Sequence, residues 1–146
     1  MENTLRIEAP TEADIDRIAR ALLHAQQVTA EVLGSTLDGT RRDLSLIQQL
    51  LDTRTIERES TYTLHSLGLA FGRTFLRENK DFDWWMVEDE RGRDPVLRYR
   101  NSTLLTYPKT MLSKRIEDGE HPNVIHLFEQ LERRLAQLIT EGYGQC

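Results

Sequence analysis

Apolar residues recur at helical spacing early in the chain: Ile15, Ile18, Ala19, Leu22 and Leu23, with Val32 and Leu33 further on. Thr11, just after Pro10, suits an N-cap, and Glu12, Asp14 and Asp16 place negative charge where the helix dipole favours it. Gly34 is a natural C-terminal stop. Ser35 to Thr40, with Gly39, reads as a turn. A second helix is predicted from about Arg41 to Asp52, burying Leu44, Ile47, Leu50 and Leu51. A third begins within Glu57 to Thr61 and continues to about Arg77 on a stripe of Leu64, Leu67, Phe71 and Phe75. Within it Gly68 and Gly72 are four apart, so they share a face and let another backbone approach. Each costs the helix up to about 1 kcal/mol relative to alanine, which close packing would have to offset. A phosphate loop is disfavoured, because the pair lies inside an apolar-periodic run and not between a strand and a helix.

The pattern then changes period. Asp83-Trp84-Trp85-Met86-Val87-Glu88 is aromatic and β-prone, and Asp89-Glu90-Arg91-Gly92-Arg93 has the polarity and glycine of a hairpin turn. Val96 to Arg100 and Thr103 to Tyr107 read as two further strands around an Asn101-Ser102 turn, giving a three-stranded antiparallel meander. Pro108 opens a helix carrying Met111, Leu112 and Ile116, which Gly119 ends. Pro122 opens the last, with Val124, Leu127, Phe128, Leu131, Leu135, Leu138 and Ile139 on its stripe. Gly142-Tyr143-Gly144 reads as a frayed tail. The order predicts an α+β fold: N-terminal helices, a central meander, and two C-terminal helices packed on the sheet. No repeat or linker interrupts residues 1–146, so one domain is expected.

Composition narrows the class. The 146 residues carry 24 acids and 19 bases, a net charge of −5, with too many apolar residues for a wholly disordered chain. No apolar run approaches the roughly 20 residues of a membrane span. The segment Met1-Glu2-Asn3-Thr4 lacks the features of a secretory signal. Cys146 is the single cysteine, so no intrachain disulfide is possible. A soluble, cytoplasmic protein is expected, with no membrane partner.

Leu67-Gly68-Leu69-Ala70-Phe71-Gly72 is followed by Trp85-Met86-Val87-Glu88-Asp89-Glu90-Arg91-Gly92-Arg93-Asp94-Pro95, then by Leu97-Arg98. Pro108 to Met111 leads into Lys114-Arg115-Ile116-Glu117-Asp118-Gly119-Glu120. Together these resemble a bacterial family known as domain of unknown function 3806, over roughly Leu64 to Leu131. The resemblance implies a bacterial origin and a compact domain. It implies no activity, and supplies no catalytic residue.

The densest polar cluster, Glu88 to Asp94, could in principle bind a cation or supply a general acid and base. Arg91 and Arg93, however, stand where a calcium loop needs oxygen ligands. A carboxylate–arginine network through Glu88, Asp89, Arg93 and Asp94 that fixes the hairpin is the favoured reading, with Asp94 before Pro95 suited to a turn. His24, His65, His121 and His126 contain no pair at the spacing of a helical zinc site, and no Gly-x-Ser-x-Gly elbow occurs. No metal and no cofactor are predicted. An acidic chain is also a poor nucleic-acid binder. Only Lys80, Lys109 and Lys114 are lysines among the 19 bases. A preference for arginine over lysine suits bidentate pairing as well as codon bias.

Strand alternation places Leu97 and Tyr99 on one face and Val96, Arg98 and Arg100 on the other. Helices are expected over a Leu97–Tyr99–Leu105–Tyr107 face. The opposite face then presents Arg98, Arg100 and one of Trp84 and Trp85, a mixture enriched at interface hot spots. Either it docks a partner, or a further helix covers it with the arginines snorkelling outward. The function expected is a non-enzymatic protein-interaction domain, in its most concrete form an immunity- or antitoxin-type inhibitor covering a basic toxin. The alternatives are a small enzyme using the acidic turn Glu88–Asp94, and a structural or regulatory homodimer.

Overall fold

The computed structural model describes residues 5–53 and 60–142. Met1 to Thr4, the Glu57 end of the third helix's starting range, the tail residues Tyr143 and Gly144, and Cys146 lie outside them. The Thr11 hydroxyl accepts from the Asp14 N–H at 3.2 Å and the Asp14 carboxylate accepts from the Thr11 N–H at 2.9 Å, a reciprocal capping box. From it α1 runs over Glu12–Leu33, and Gly34 closes it in the left-handed region at φ 66°. The following turn is fixed by buried Asp43, whose carboxylate accepts from the N–H groups of Asp38 (2.9 Å) and Gly39 (2.8 Å). α2 spans Arg42–Asp52 and α3 spans Thr61–Glu78.

Four strands follow the meander order, one more than expected. β1 (Arg6–Glu8), β2 (Phe82–Asp89), β3 (Gly92–Tyr99) and β4 (Leu105–Thr106) form an antiparallel sheet in that spatial order. β1 is three residues of mixed polarity, too short to show a period, and is set beside β2 by α1 to α3. A 3₁₀ turn, Pro108–Thr110, leads into α4 (Met111–Glu117), and α5 covers Val124–Thr140. Asn123, not Pro122, caps α5: its side-chain oxygen accepts from the His126 N–H at 3.0 Å.

The glycine notch on α3 receives the 3₁₀ turn. A Cβ on Gly68 would meet the carbonyl oxygen of Pro108, and would lie 2.6 Å from that of Lys109. At Gly72 it would meet the Pro108 ring at 2.9 Å and the Trp84 indole at 3.0 Å. The core continues as a chain of aromatic edges: Phe128 of α5 against Phe71 and Phe75 of α3, Phe75 against Phe82 of β2, and Phe82 against Tyr99 of β3. α5 packs beside α2, where Gln48 donates to the Pro122 carbonyl and accepts from the Val124 N–H, and reaches α3 through Phe128, while α3 reaches the sheet through Phe75.

The helix-covered face carries Phe82, Trp84, Met86, Leu97 and Tyr99. Its extension to β4 corrects the expected face. Leu97 stands opposite Thr106 and Arg98 opposite Leu105. Leu105 therefore shares the Arg98 face, and Tyr107, beyond the strand, is 41% exposed. A one-residue shift in register exchanges the faces. No helix among the described residues is long and apolar enough to cross a membrane.

Candidate functional site

The pleat separates the two tryptophans. Trp84 pairs with Leu97 and turns to the helices, its indole against Gly72. Trp85 pairs with Val96 and turns to the outer face, beside Arg98. There the Arg98 guanidinium lies 4.4 Å from the centroid of the Trp85 ring, a cation–π stack. The same guanidinium donates to the carbonyl oxygens of Ser102 (2.6 Å) and Asn101 (3.0 Å), so the stack is anchored in the β3–β4 turn. Ile7, Leu105, Trp85 and Arg98 are all partly exposed on this face, over buried Val87 and Val96. Arg100 falls past the end of β3 at φ 48°, exposed, with Asp81 at 3.4 Å and the Tyr99 ring at 5.1 Å. The structure thus groups Trp85 with Arg98, and leaves Trp84 inside and Arg100 at the turn.

The residues of the polar turn divide among different partners. Asp89 accepts from the Arg91 N–H at 2.8 Å and shapes the loop itself. Asp94 pairs with Lys109 of the 3₁₀ turn at 2.9 Å. Glu88 bonds to Arg6 of β1 and, at 3.2 Å, to Arg93. Arg93 also bonds to Glu8, and reaches across to Asp14 at 2.7 Å through one terminal nitrogen and at 3.1 Å through Nε. The Asp14 side chain is fully buried and takes further bonds from Thr11 and from Arg17 at 2.6 Å. Arg93, foremost among these donors, holds the Asp14 carboxyl well below the usual carboxylate range against the opposing effect of burial. Asp14 and its neighbours raise Arg93 in turn. The network therefore fastens the start of α1 to the sheet as well as closing the hairpin.

Beside this junction, α1, α3 and the β2–β3 strands enclose a cleft of about 320 Å³. Its floor is apolar: Ile18, Leu69, Met86 and Pro95. Arg17, Arg20, Arg93 and Lys109 line it together with Asp14, and Tyr62 and His65 stand at its side. Burial, aided by the charge of Lys109, lowers the pKa of His65, which favours the neutral ring. These residues come from five separate elements, α1, α3, β2, β3 and the 3₁₀ turn, so no local motif announces them; the helical phase of Arg17, Ile18, Arg20 and Ala21 is the sequence signal.

Two of the other histidines have side-chain partners, His24 bonding to Thr63 at 2.8 Å and His121 to Asp52 at 2.7 Å, while His126 enters the α5 cap only through its backbone N–H. Among the described residues, no group of three or more His, Cys, Asp and Glu side chains is placed to hold a metal ion.

Two relatives put the fold in context. A Caulobacter sp. (strain K31) protein named 2-isopropylmalate synthase is 30% identical over 97 residues, 66% of this chain but 18% of its own length. A solved protein from Bacteroides thetaiotaomicron VPI-5482 matches with a TM-score of 0.81 over 89% of this chain and 48% of its own. At 18% identity, that likeness shows a shared fold. The chain spans less than half the length of either. The family model described as Domain of unknown function (DUF3806) matches residues 43–128, from Asp43 in α2 through the notch, the hairpin and α4 to Phe128 in α5, and the chain belongs to that family.

Proposed function

We propose that this chain is a non-enzymatic, cytoplasmic protein-binding domain of bacterial origin that docks a partner protein through the outer face of its sheet. The observation that carries the reading is the Trp85–Arg98 stack, an aromatic and a guanidinium held at 4.4 Å on a partly exposed face. Tryptophan and arginine dominate interface hot spots, and a stack already tied to backbone carbonyls loses little freedom on binding. Asp83, opposite Arg98 on the neighbouring strand, and Asp89 at the hairpin add exposed acid around it. With a net charge of −5 this suits a basic partner, and in its most specific form an immunity- or antitoxin-type inhibitor covering a toxin. Relatives in which the matched region is a fraction of a longer chain fit a module that acts on something beyond itself.

Of the acids the enzyme alternative would use, Glu88 and Asp94 pair with Arg6, Arg93 and Lys109, and Asp89 accepts from the Arg91 N–H within the loop, so each of the three has a structural partner. Capture from native bacterial lysate, with wild type and Trp85→Ala side by side, tests the docking reading. Wild type should retain a stoichiometric partner, and Trp85→Ala should weaken it about thirtyfold, the effect of a 2 kcal/mol hot spot. Equal retention by both proteins refutes the assigned face. A shift to dimer in sedimentation, lost in Trp85→Ala, would instead make the partner a second copy of the chain.

A further inference from the structure

We propose that the cleft between α1, α3 and the β2–β3 strands binds a small organic acid, with one anionic head group on an apolar body. Its volume of about 320 Å³ falls at the lower end of ligand pockets, and it combines an apolar floor with a few convergent polar groups, the usual form of such sites. The charge of the lining opposes that of the molecule. Four cations and a single carboxylate line a cleft in a chain of net charge −5. That carboxylate, Asp14, is already saturated by Thr11, Arg17 and Arg93, so it leaves no acceptor turned toward a ligand cation.

The cations differ in what they can still do. Arg93 is spent on three acids. Lys109 gives one bond to Asp94 and keeps further ammonium hydrogens. Arg20, exposed at the mouth, has no ion-pair or hydrogen-bond partner among the described residues, and its guanidinium offers a fork matched to a carboxylate or phosphate. The head group therefore belongs near Arg20 and Lys109. The body belongs on Leu69, Met86 and Pro95, which are buried beneath the opening. His65, its ring pushed toward neutrality by burial, can hydrogen-bond the ligand without adding charge. The cleft lies on the helix side of the sheet, opposite the Trp85–Arg98 stack, and its occupancy does not depend on the docking reading.

The test is titration of the full chain with 3-phenylpropionate, its uncharged amide 3-phenylpropanamide, and inorganic phosphate, followed by two-dimensional amide and methyl NMR. The acid should shift signals of Leu69, Met86 and Arg20 saturably, with a Kd of about 1 mM or tighter. The amide should bind at least tenfold more weakly, because it lacks the charge, and phosphate likewise, because it lacks the body. Arg20→Glu should weaken the acid at least tenfold with an otherwise unchanged spectrum, since this exposed side chain supports no other group among the described residues. Equal binding of acid and amide, phosphate binding as tightly as the acid, or no saturable shift at the cleft each overturns the proposal. Should Arg20→Glu disturb the fold, the comparison of the three probes on the wild-type protein decides alone.

Discussion

Replacing Arg93 with methionine removes one guanidinium that serves three carboxylates while keeping most of the apolar stem. Asp14 is the partner that matters, because its side chain is fully buried and Arg93 itself is only 21% exposed. Orphaning one member of a buried pair costs about 3–5 kcal/mol. Here Asp14 keeps the Thr11 N–H and hydroxyl, and it keeps Arg17 at 2.6 Å. Arg17 is 62% exposed, so its pairing is screened and worth no more than about 1 kcal/mol. A loss of about 2–3 kcal/mol is expected, which lowers the melting temperature by about 5–10 °C in a chain of this size. The pH dependence has a definite sign. Arg93 depresses the native Asp14 pKa, so its stabilisation is fully present above the unfolded-state value and is lost as pH falls toward the native one. Urea unfolding of both proteins from pH 7 down to pH 3 should show a gap that is largest at neutrality and narrows below about pH 4. A gap under about 0.5 kcal/mol at pH 7, or one that stays constant down to pH 3, would refute the reasoning.

The notch predicts a graded response. Gly68→Ala should destabilise by about 1–3 kcal/mol although alanine is the better helix former, since its methyl meets backbone carbonyls that cannot swing away; a raised melting temperature would sink the close approach. Arg98→Ala should cost about 1 kcal/mol by freeing two turn carbonyls and the Trp85 stack, whereas Arg100→Ala should leave thermal unfolding unchanged; equal effects would mean that the β3–β4 turn is held some other way.

Local signals were legible wherever the determining residues lie close in sequence. Thr11 with Asp14, the α1 stripe and Gly34 specify a helix from within one segment, and the structure builds it with those ends. The hairpin follows from alternation on either side of Glu90-Arg91. The paired glycines announce a close contact, though not that a 3₁₀ turn some 40 residues downstream fills it. What escaped reading depends on distance in sequence. β1 is a strand because β2 is there to accept it. Leu105 turns outward because the Arg100–Leu104 turn, with its positive φ and its Ser102 bonds, sets a register that alternation alone does not fix. Asp14 reads as a dipole-favouring acid, and only the folded chain brings Arg93 to it across 79 positions. The cleft is the extreme case, since each of its walls comes from a different element.

The two sides of the sheet are mechanically linked through adjacent residues of one strand. Trp84 is wedged against the α3 notch, which fixes the backbone of β2 relative to the helices. Trp85, the next residue, inherits that position and has its own ring capped by a guanidinium bonded to the following turn. A partly exposed indole left free would lose rotamer freedom on docking; one held from below by its neighbour and from above by Arg98 has given up most of it on folding. Arg100, with an exposed ion pair and no such anchoring, would still have that freedom to lose. Within the residue set first suggested by strand alternation, the proposed binding role therefore rests on Trp85 and Arg98, which the structure stacks together, while Trp84 has the separate task of keeping their platform rigid.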